Sequence, residues 1–210
     1  MVAIGEAAPG LKLSDTNGNA VDLADYKGKK VYLCFLRYAA CVMCQFRVAE
    51  AKQKSEALKG AGVVMLIVFN SDSKEMAPYA GKQASPEFPL LCDKEGATYK
   101  EWQCKKSLAG SPLGCGMCYH ACVDCRLPPA MCGCFNPLSC GKGHCGPCMG
   151  YANCSTQHMN VAKAQQMPAD FLIDEEGKIV DLKYGGTIGS HMPWSRIESF
   201  AGLGPQQEKM

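Results

Sequence analysis

The sequence predicts an α/β fold with a central mixed β-sheet flanked by helices. Two uninterrupted apolar runs, residues 31–36 and 63–69, have the length and composition of strands buried on both faces. A segment of helical pattern follows each run, and this alternation is typical of strands joined by crossover helices. Because such crossovers are right-handed, the two long strands are predicted to be parallel.

A hairpin is predicted ahead of the first long strand. Apolar residues alternate with polar ones at 11–13 and at 21–23, and Asn17-Gly18 between them is a strong turn signal. The helix that follows the first long strand is predicted to run to about Leu58. It ends there because residues 59–62 contain glycines, which tolerate the left-handed conformation at a helix C-terminus.

Shorter elements are predicted after the second long strand. Residues 70–73 offer N-cap side chains for a helix over 74–83, although Pro78 disturbs its interior. The remaining elements are a short strand at 88–91, a helix at 95–102, a hairpin of strands at 168–174 and 179–183, and a last helix at 194–200. The predicted organisation is one domain of residues 1–103 and 166–202, a cysteine-rich insertion at 104–165, and a tail at 203–210.

Charge and hydropathy exclude several functions. The formal net charge of +2 gives no attraction to nucleic acid or to an anionic membrane. The longest apolar run, 63–69, is too short to span a bilayer. The first residues show neither a basic segment nor an apolar one of the kind found in signal peptides. We therefore expect a cytoplasmic protein without a nucleic-acid or membrane partner.

A Cys41-x-x-Cys44 pair lies where the first long strand gives way to a helix. The backbone N–H groups and the dipole at a helix N-terminus stabilise a thiolate and lower its pKa. Cys41, the outer cysteine, is therefore the predicted nucleophile, and Cys44, one turn later, is the predicted resolving thiol. A buried pair and half of a zinc site are the alternatives, and the strand–turn–helix context favours redox chemistry.

Eleven of the 15 cysteines lie between residues 104 and 154. Large apolar residues are sparse there, so this segment cannot form a hydrophobic core unaided. In a reducing compartment, such a count indicates metal binding or catalysis rather than disulfides. Eight of these cysteines form four close pairs, which provide enough thiolates for two four-cysteine zinc sites. The pairs are Cys115-x-x-Cys118, Cys122-x-x-Cys125, Cys132-x-Cys134 and Cys145-x-x-Cys148.

The zinc hypothesis has two alternatives. The spacing of Cys118, Cys122 and Cys125 could hold an iron–sulfur cluster, whereas a disulfide-rich loop would require export. We favour zinc first, disulfides second and an iron–sulfur cluster third, and the spacing does not show which pairs share an ion. No organic cofactor is expected. Left outside the pairs are Cys104, Cys140 and Cys154, with His120, His144 and His158 as substitute ligands.

Several motifs outside the insertion follow the pattern of a known family. They are Gly5-Glu6-x-x-Pro9, Leu13-x-Asp15-x-x-Gly18, Phe35-Leu36-Arg37-Tyr38-x-x-Cys41-x-x-Cys44, Phe88-Pro89-x-Leu91-x-Asp93-x-x-Gly96, Pro168-Ala169-Asp170-Phe171-Leu172-Ile173-Asp174 and Gly189-x-His191-x-Pro193. Over about residues 3–103 and 166–202, the chain resembles the AhpC/TSA redoxin-like proteins, the peroxiredoxin-like branch of the thioredoxin fold.

The resemblance implies a thioredoxin-like fold and a thiol–disulfide oxidoreductase that acts on a protein disulfide, a small oxidised thiol or a peroxide and is restored by a thiol reductant. Reduction of peroxides as the main activity is one alternative. A zinc-binding or partner-binding module in which the redox pair is secondary is the other.

The active-site motif departs from that of peroxiredoxins proper, which carry Pro-x-x-x-Thr-x-x-Cys. Arg37 and Cys41 occupy the Pro and Thr positions if Cys44 is the last residue of the motif, and Cys34 and Tyr38 occupy them if Cys41 is. We therefore expect slow turnover of hydrogen peroxide.

A proline at the start of a later strand, Pro168, resembles the cis-proline of thioredoxins. The resemblance implies a cis Met167–Pro168 bond that faces Cys41 and a bound partner chain. The bland alternative is a trans proline that only starts a strand.

Five further residues have individual predictions. Arg37 either lies beside the thiolate and lowers its pKa or lies on the surface, and the sequence does not distinguish the two. Tyr38 is predicted to pack by the redox pair, and Cys34 to be a small core residue. Cys92 is interpreted as a loop cysteine without a role rather than a second resolving thiol, and His191 as structural rather than a proton-transfer group.

Overall fold

The structure is a computed structural model that describes residues 2–83, 88–107, 163 and 165–204. By their contacts the residues fall into two units, 1–106 with 166–210 and 107–165. All the helices and strands described below belong to the first unit. The strands are β1 (Lys12–Asp15), β2 (Ala20–Asp22), β3 (Lys30–Phe35), β4 (Val63–Phe69), β5 (Leu90–Cys92), β6 (Ala169–Ile173) and β7 (Ile179–Tyr184). The α-helices are α1 (Val42–Gly60), α2 (Ser73–Gln83), α3 (Ala97–Glu101) and α4 (Trp194–Phe200).

The strands form one mixed sheet in the order β2-β1-β5-β4-β3-β6-β7. Strands β3, β4 and β5 are parallel, whereas β1, β6 and β7 pair with their neighbours in the antiparallel sense. The predicted α/β class and the parallel pairing of the two long strands are therefore confirmed. Strand β4 has the predicted bounds, and helix α1 runs two residues past the predicted end before Gly62 takes a φ of +77°.

A 3-10 helix at Leu23–Tyr26 was absent from the sequence prediction. The side chain of Asp22 accepts a hydrogen bond from the backbone N–H of Ala24 at 2.9 Å, and this cap starts the turn. Strand β5 begins two residues later than predicted, and α3 is shorter at both ends. These are shifts at element ends, where assignments are least well defined.

One face of β3 packs into the main hydrophobic core. Val31, Leu33 and Phe35 belong to that core, and the Phe35 ring lies 5.0 Å from Tyr99 and 5.8 Å from Phe171, measured between ring centroids. Because side chains alternate along a strand, the residues between them face the opposite side of the sheet. That opposite side carries the polar side chains of Tyr32 and Asp170. No helix in the described part of the chain is long and apolar enough to cross a membrane.

Candidate redox site

The redox pair lies at the start of α1, next to the carboxyl end of β3. Cys41 is the N-cap residue of the helix, with φ −75° and ψ 114°, and its carbonyl accepts the N–H of Gln45 at 3.0 Å. The Cys41 N–H donates to the Tyr38 carbonyl at 3.0 Å, which closes the turn that enters the helix. The sequence folds this way because an apolar strand ends at a short run of small residues before the helical pattern begins. The Cys41 thiol therefore sits beside the free N–H groups of the first helical turn.

Cys44 lies one turn further along α1, on the same side as Cys41. Its Sγ accepts a hydrogen bond from the backbone N–H of Arg37 at 3.2 Å. Both cysteines are fully buried, and no disulfide joins them in the structure. The spacing and shared environment leave the two sulfur atoms in position to form a disulfide with each other.

Arg37 is a fully buried residue of the site. Its Nη1 donates to Cys41 Sγ at 3.5 Å, and its Nε donates to the Gln166 carbonyl at 2.9 Å. The guanidinium also lies over the Tyr38 ring, 5.3 Å from its centroid. Of the two positions that the sequence allows for Arg37, the structure shows the one beside the Cys41 thiol, with Tyr38 packed against the guanidinium.

The pKa values of the two thiols are shifted in opposite directions. A hydrogen bond from the Cys44 thiol and the positive charge of Arg37 lower the pKa of Cys41 to about 6, although burial of the thiol opposes this change. Burial, together with the neighbouring Cys41 thiolate, raises the pKa of Cys44 well above its usual range. At neutral pH, Cys41 is therefore the thiolate and Cys44 the protonated thiol, as expected for a nucleophile and its resolving partner.

The predicted cis bond at Pro168 is wrong, because the Met167–Pro168 bond is trans. The structure shows the bland alternative, a proline directly before β6 that packs against Gly185, whose N–H donates to the Pro168 carbonyl at 2.8 Å. A Cβ at Gly185 would lie 2.7 Å from Pro168 Cγ, so only glycine fits there. Gln166, in the same segment, binds Arg37, which contacts Cys41. Without a cis proline, the predicted substrate groove of thioredoxin type at Pro168 is not supported.

A second polar cluster lies behind the pair, on the face of the sheet opposite the main core. Asp170, fully buried on β6, accepts the Tyr32 hydroxyl at 2.7 Å and the Met192 N–H at 2.8 Å, and it lies 3.1 Å from His191 Nδ1. Arg47, one turn after Cys44, donates to the Tyr32 hydroxyl at 2.8 Å and lies 3.8 Å from the Asp170 carboxylate. The network ties α1 to β3 and β6.

This cluster includes three residues of metal-binding type. Ligand atoms of Cys34, Asp170 and His191 lie within 4.8 Å of one another. The carboxylate oxygens of Asp170 already accept from a hydroxyl and a backbone N–H, and the charge of Arg47 would oppose a second cation. Burial raises the pKa of Cys34 well above its usual range, so its thiol stays protonated. We interpret the group as a hydrogen-bonded network that positions α1, in which His191 has the predicted structural role.

The remaining predicted site residues divide into two groups. Cys92 is half-buried on β5, where burial raises its pKa to about 11, and Cys104 is partly buried after α3. Every predicted zinc ligand lies outside the described residues. These are Cys115, Cys118, Cys122, Cys125, Cys132, Cys134, Cys145 and Cys148.

The segment that contains the redox pair also matches a family profile. The family profile of the AhpC/TSA family matches residues 4–124, more than half of the chain. This chain belongs to the AhpC/TSA family.

Curated relatives of this AhpC/TSA chain are peroxiredoxins. It is 29% identical over 113 residues to a chloroplastic peroxiredoxin Q of Oryza sativa subsp. japonica, a match that covers 54% of this chain and 52% of the relative. It is 29% identical over 91 residues to peroxiredoxin Bcp of Escherichia coli strain K12, which covers 43% and 58% of the two chains. The chain thus spans about half the length of the curated relatives it matches.

Solved structures confirm the thioredoxin-like fold of this AhpC/TSA chain. Peroxidoxin BcpB of Mycobacterium tuberculosis aligns with a TM-score of 0.58 over 96% of both chains, at 13% identity. A PrxQ variant of Xylella fastidiosa aligns with a TM-score of 0.60 over 96% of this chain and 94% of the other, also at 13% identity. A candidate thiol:disulfide interchange protein DsbE of Chlorobium tepidum reaches 0.57 over 95% and 96%, at 18% identity. At such identities these structures support the fold alone.

Sequence reasoning missed three buried residues of the AhpC/TSA site, namely Gln166, Arg47 and Asp170. Arg47 lies three positions after Cys44, so helical spacing could have placed it one turn below the pair. Asp170 interrupts an otherwise apolar strand, and a charge in such a run signals a buried partner. Gln166 carries no comparable signal, because its role depends on a carbonyl group that every residue has.

Proposed function

We propose that this protein is a peroxiredoxin-like thiol–disulfide oxidoreductase in which Cys41 is the nucleophile and Cys44 the resolving thiol. The observation that carries the proposal is the contact of Arg37 Nη1 with Cys41 Sγ at 3.5 Å, at the N-terminus of α1. This contact and the hydrogen bond from Cys44 hold the pKa of Cys41 at about 6. Membership of the AhpC/TSA family supports the same chemistry.

The first step is attack of the Cys41 thiolate on one sulfur of a substrate disulfide. A bond forms between Cys41 and that sulfur, the substrate S–S bond breaks, and the other substrate sulfur leaves as a thiolate that takes a proton from solvent. Arg37 remains beside Cys41 and stabilises the thiolate before attack. The product is a mixed disulfide between the protein and one half of the substrate.

The second step is attack of Cys44 on the Cys41 sulfur of the mixed disulfide. Cys44 loses its proton, the Cys41–Cys44 disulfide forms, and the second substrate sulfur leaves and is protonated. The substrate gains two electrons and two protons; the protein pair gives up both electrons and the Cys44 proton, and the other proton comes from solvent. A thiol reductant, the partner class that we propose for this protein, returns the pair to the dithiol by the reverse exchange.

The test of this proposal is Cys44→Ser. We expect the variant to accumulate a mixed disulfide at Cys41 when it is mixed with a glutathione disulfide or a protein disulfide, because nothing then resolves the intermediate. Mass spectrometry of the intact protein and of the Cys41 peptide measures the adduct. Cys92→Ser, which removes a half-buried thiol whose pKa is about 11, is the matched control and should not trap it. An adduct carried by another cysteine in place of Cys41 would contradict the proposal.

Reduction of peroxides is the second candidate activity. It is favoured by the names of the curated relatives, which are peroxiredoxins, and by the guanidinium donor that Arg37 places at the thiolate. In that reaction Cys41 attacks one peroxide oxygen, the O–O bond breaks, and the leaving oxygen takes a proton to give water or an alcohol. Cys44 then condenses with the Cys41 sulfenic acid, which forms the disulfide and releases water.

We also propose that the cysteine pairs of the insertion bind about two zinc ions. The support is the spacing of the four pairs and the scarcity of large apolar residues in the insertion, which therefore cannot form a hydrophobic core of its own. A structural zinc site returns about 10–16 kcal/mol at neutral pH, against a cost of about 1–2 kcal/mol for each ordered backbone residue. Two sites would therefore offset only part of the cost of ordering the segment.

Zinc content tests the metal proposal. We expect about two zinc ions per chain in protein purified without air, measured by elemental analysis together with a thiol count. Cys118→Ser and Cys145→Ser should each lower the zinc content, whereas Cys41→Ser, which leaves the insertion unchanged, should not. Metal-free protein whose insertion cysteines are joined as disulfides would contradict the proposal and would place the protein in an oxidising compartment.

A cytoplasmic location is our proposal for this redox protein. The zinc and thiol chemistry proposed above needs reduced cysteines, which a reducing compartment maintains. The near-neutral formal charge of +2 supports the absence of a nucleic-acid or membrane partner.

A further inference from the structure

We infer that Gln166 is a positioning residue for the redox reaction, because its backbone carbonyl holds the arginine that contacts the nucleophile. Arg37 Nε donates to the Gln166 carbonyl at 2.9 Å, and Arg37 Nη1 donates to Cys41 Sγ at 3.5 Å. The two bonds use two edges of one rigid, planar guanidinium. The direction of the Gln166 carbonyl therefore fixes the direction in which Arg37 meets the sulfur of Cys41.

The carbonyl of Gln166 is held in place by the side chain of the same residue. Gln166 is 2% exposed, and its Nε2 donates to the Lys105 carbonyl at 3.0 Å and to the Met167 carbonyl at 3.1 Å. The Met167 N–H also donates to the Lys105 carbonyl, at 3.0 Å. The Gln166 amide thus links the Lys105 segment to the residue that follows Gln166.

A backbone bridge completes the support. Lys106 and Gln166 pair as an isolated antiparallel bridge, so the two chain segments that flank residues 107–165 are joined at this point. We call the group formed by Lys105, Lys106, Gln166 and Met167 the neck. Residues 106 and 166 are 60 positions apart in the sequence and are neighbours in the neck. The same Gln166 accepts the hydrogen bond from Arg37. The neck therefore supports the arginine that contacts Cys41.

The Gln166 amide can be removed with little change in shape. Gln166→Met keeps the length of the side chain and loses both hydrogen bonds to carbonyl groups. The backbone bond from the Met167 N–H to the Lys105 carbonyl remains, but the Gln166 peptide loses its two side-chain links, so its carbonyl holds Arg37 less firmly. We expect the apparent pKa of Cys41 to rise by about one unit, which reduces its alkylation rate at pH 6 by about five-fold, since only the thiolate reacts.

The measurement is the pH profile of iodoacetamide labelling at Cys41 in the full chain, followed by mass spectrometry of the Cys41 peptide. The midpoint of the profile, rather than the absolute rate, reports the pKa, so slow access to a buried thiol does not affect it. Gln45→Ala is the matched control, because it removes a glutamine amide that donates to the Ala39 carbonyl at 3.3 Å and lies on α1 beside the pair. Its midpoint should equal that of the wild type.

A double variant separates positioning from general loosening of the fold. In an Arg37→Met background, adding Gln166→Met should cause no further shift of the midpoint, because the path to Cys41 has already been cut. An unchanged midpoint in Gln166→Met, or a full shift that persists in the Arg37→Met background, would overturn the inference. If Gln166→Met does not fold, Gln166→Asn, which shortens the side chain by one methylene, is measured in the same way.

This inference rests on the proposed function, in which Cys41 is the nucleophile. Its test reads ionisation and not turnover, so the two can fail separately. A protein without disulfide reductase activity but with the expected midpoints would refute the proposed function and keep the positioning role. Disulfide reductase activity in the wild type, together with a wild-type midpoint in Gln166→Met, would refute the positioning role and keep the proposed function.

Discussion

Replacing Cys41 by serine is expected to lower the rate of disulfide reduction by at least about a thousand-fold, since a hydroxyl is not ionised near neutral pH and the thiolate is the nucleophile. The wild-type rate should rise with pH through about 6, because Cys41 becomes a thiolate as the pH passes its lowered pKa. Turnover of a protein disulfide, coupled to a thiol reductant and followed from pH 5 to 8, measures both effects.

The control for this variant is Cys92→Ser, which removes a thiol on β5. It should retain wild-type turnover. Full disulfide reductase activity in Cys41→Ser would show that another cysteine is the nucleophile. Hydrogen peroxide, offered as the alternative substrate, should be consumed slowly by the wild type because the Pro-x-x-x-Thr-x-x-Cys pattern is absent. Fast and saturable peroxide consumption would instead make peroxide reduction the main activity.

The second large effect concerns stability. Asp170→Asn keeps the shape of the side chain but removes the charge that faces buried Arg47. Because buried Arg47 then loses its buried partner and keeps the ion pair with exposed Glu50, we expect the free energy of unfolding to fall by about 3–5 kcal/mol. Denaturant unfolding at neutral pH measures the loss. Asp181→Asn, at an exposed pair with Arg196, is the matched control and should cost less than about 1 kcal/mol.

The pH dependence of this contribution follows from the pKa of Asp170. Burial alone would raise that pKa, but the contacts with His191, Arg47 and Tyr32 outweigh burial and leave it lowered. A carboxyl whose folded-state pKa is below its unfolded value of about 3.9 stabilises the protein above that pH. The stabilisation is lost only as the pH falls through the folded-state pKa. Equal stabilities of wild type and Asp170→Asn at pH 7 would refute the assigned role of the buried pair.

The fold could largely be predicted from the sequence because its elements have strong local signals. Strand β4 is an unbroken apolar run, and α4 begins directly after a proline, and both have the predicted bounds. The 3-10 helix at Leu23–Tyr26 escaped prediction because it depends on one Asp side chain. A cis bond at Pro168 was predicted from resemblance to thioredoxins, whereas the bond is trans and Pro168 packs against Gly185.

The site was only half accessible to sequence reasoning. The pair Cys41 and Cys44 could be predicted from its spacing and from its place between a strand and a helix. Arg37 could not be assigned, since its contact with Cys41 depends on an acceptor, the Gln166 carbonyl, that lies 129 positions away. The link between Tyr32 and Asp170 spans 138 positions. Contacts of this kind arise from the pairing of β3 with β6, which no local pattern specifies.

The complete burial of Cys41 and Cys44 has a kinetic consequence. A bulky disulfide cannot touch a sulfur atom with no exposed surface, so we expect each reaction to require a brief opening that exposes Cys41. The observed rate constant is then the intrinsic one multiplied by the fraction of time spent open, and an open fraction of about 1% slows the reaction about a hundred-fold. Partners that stabilise the open arrangement gain that factor back, whereas casual encounters with other disulfides do not. We therefore expect the burial of the two sulfur atoms to favour substrates that stabilise the open arrangement.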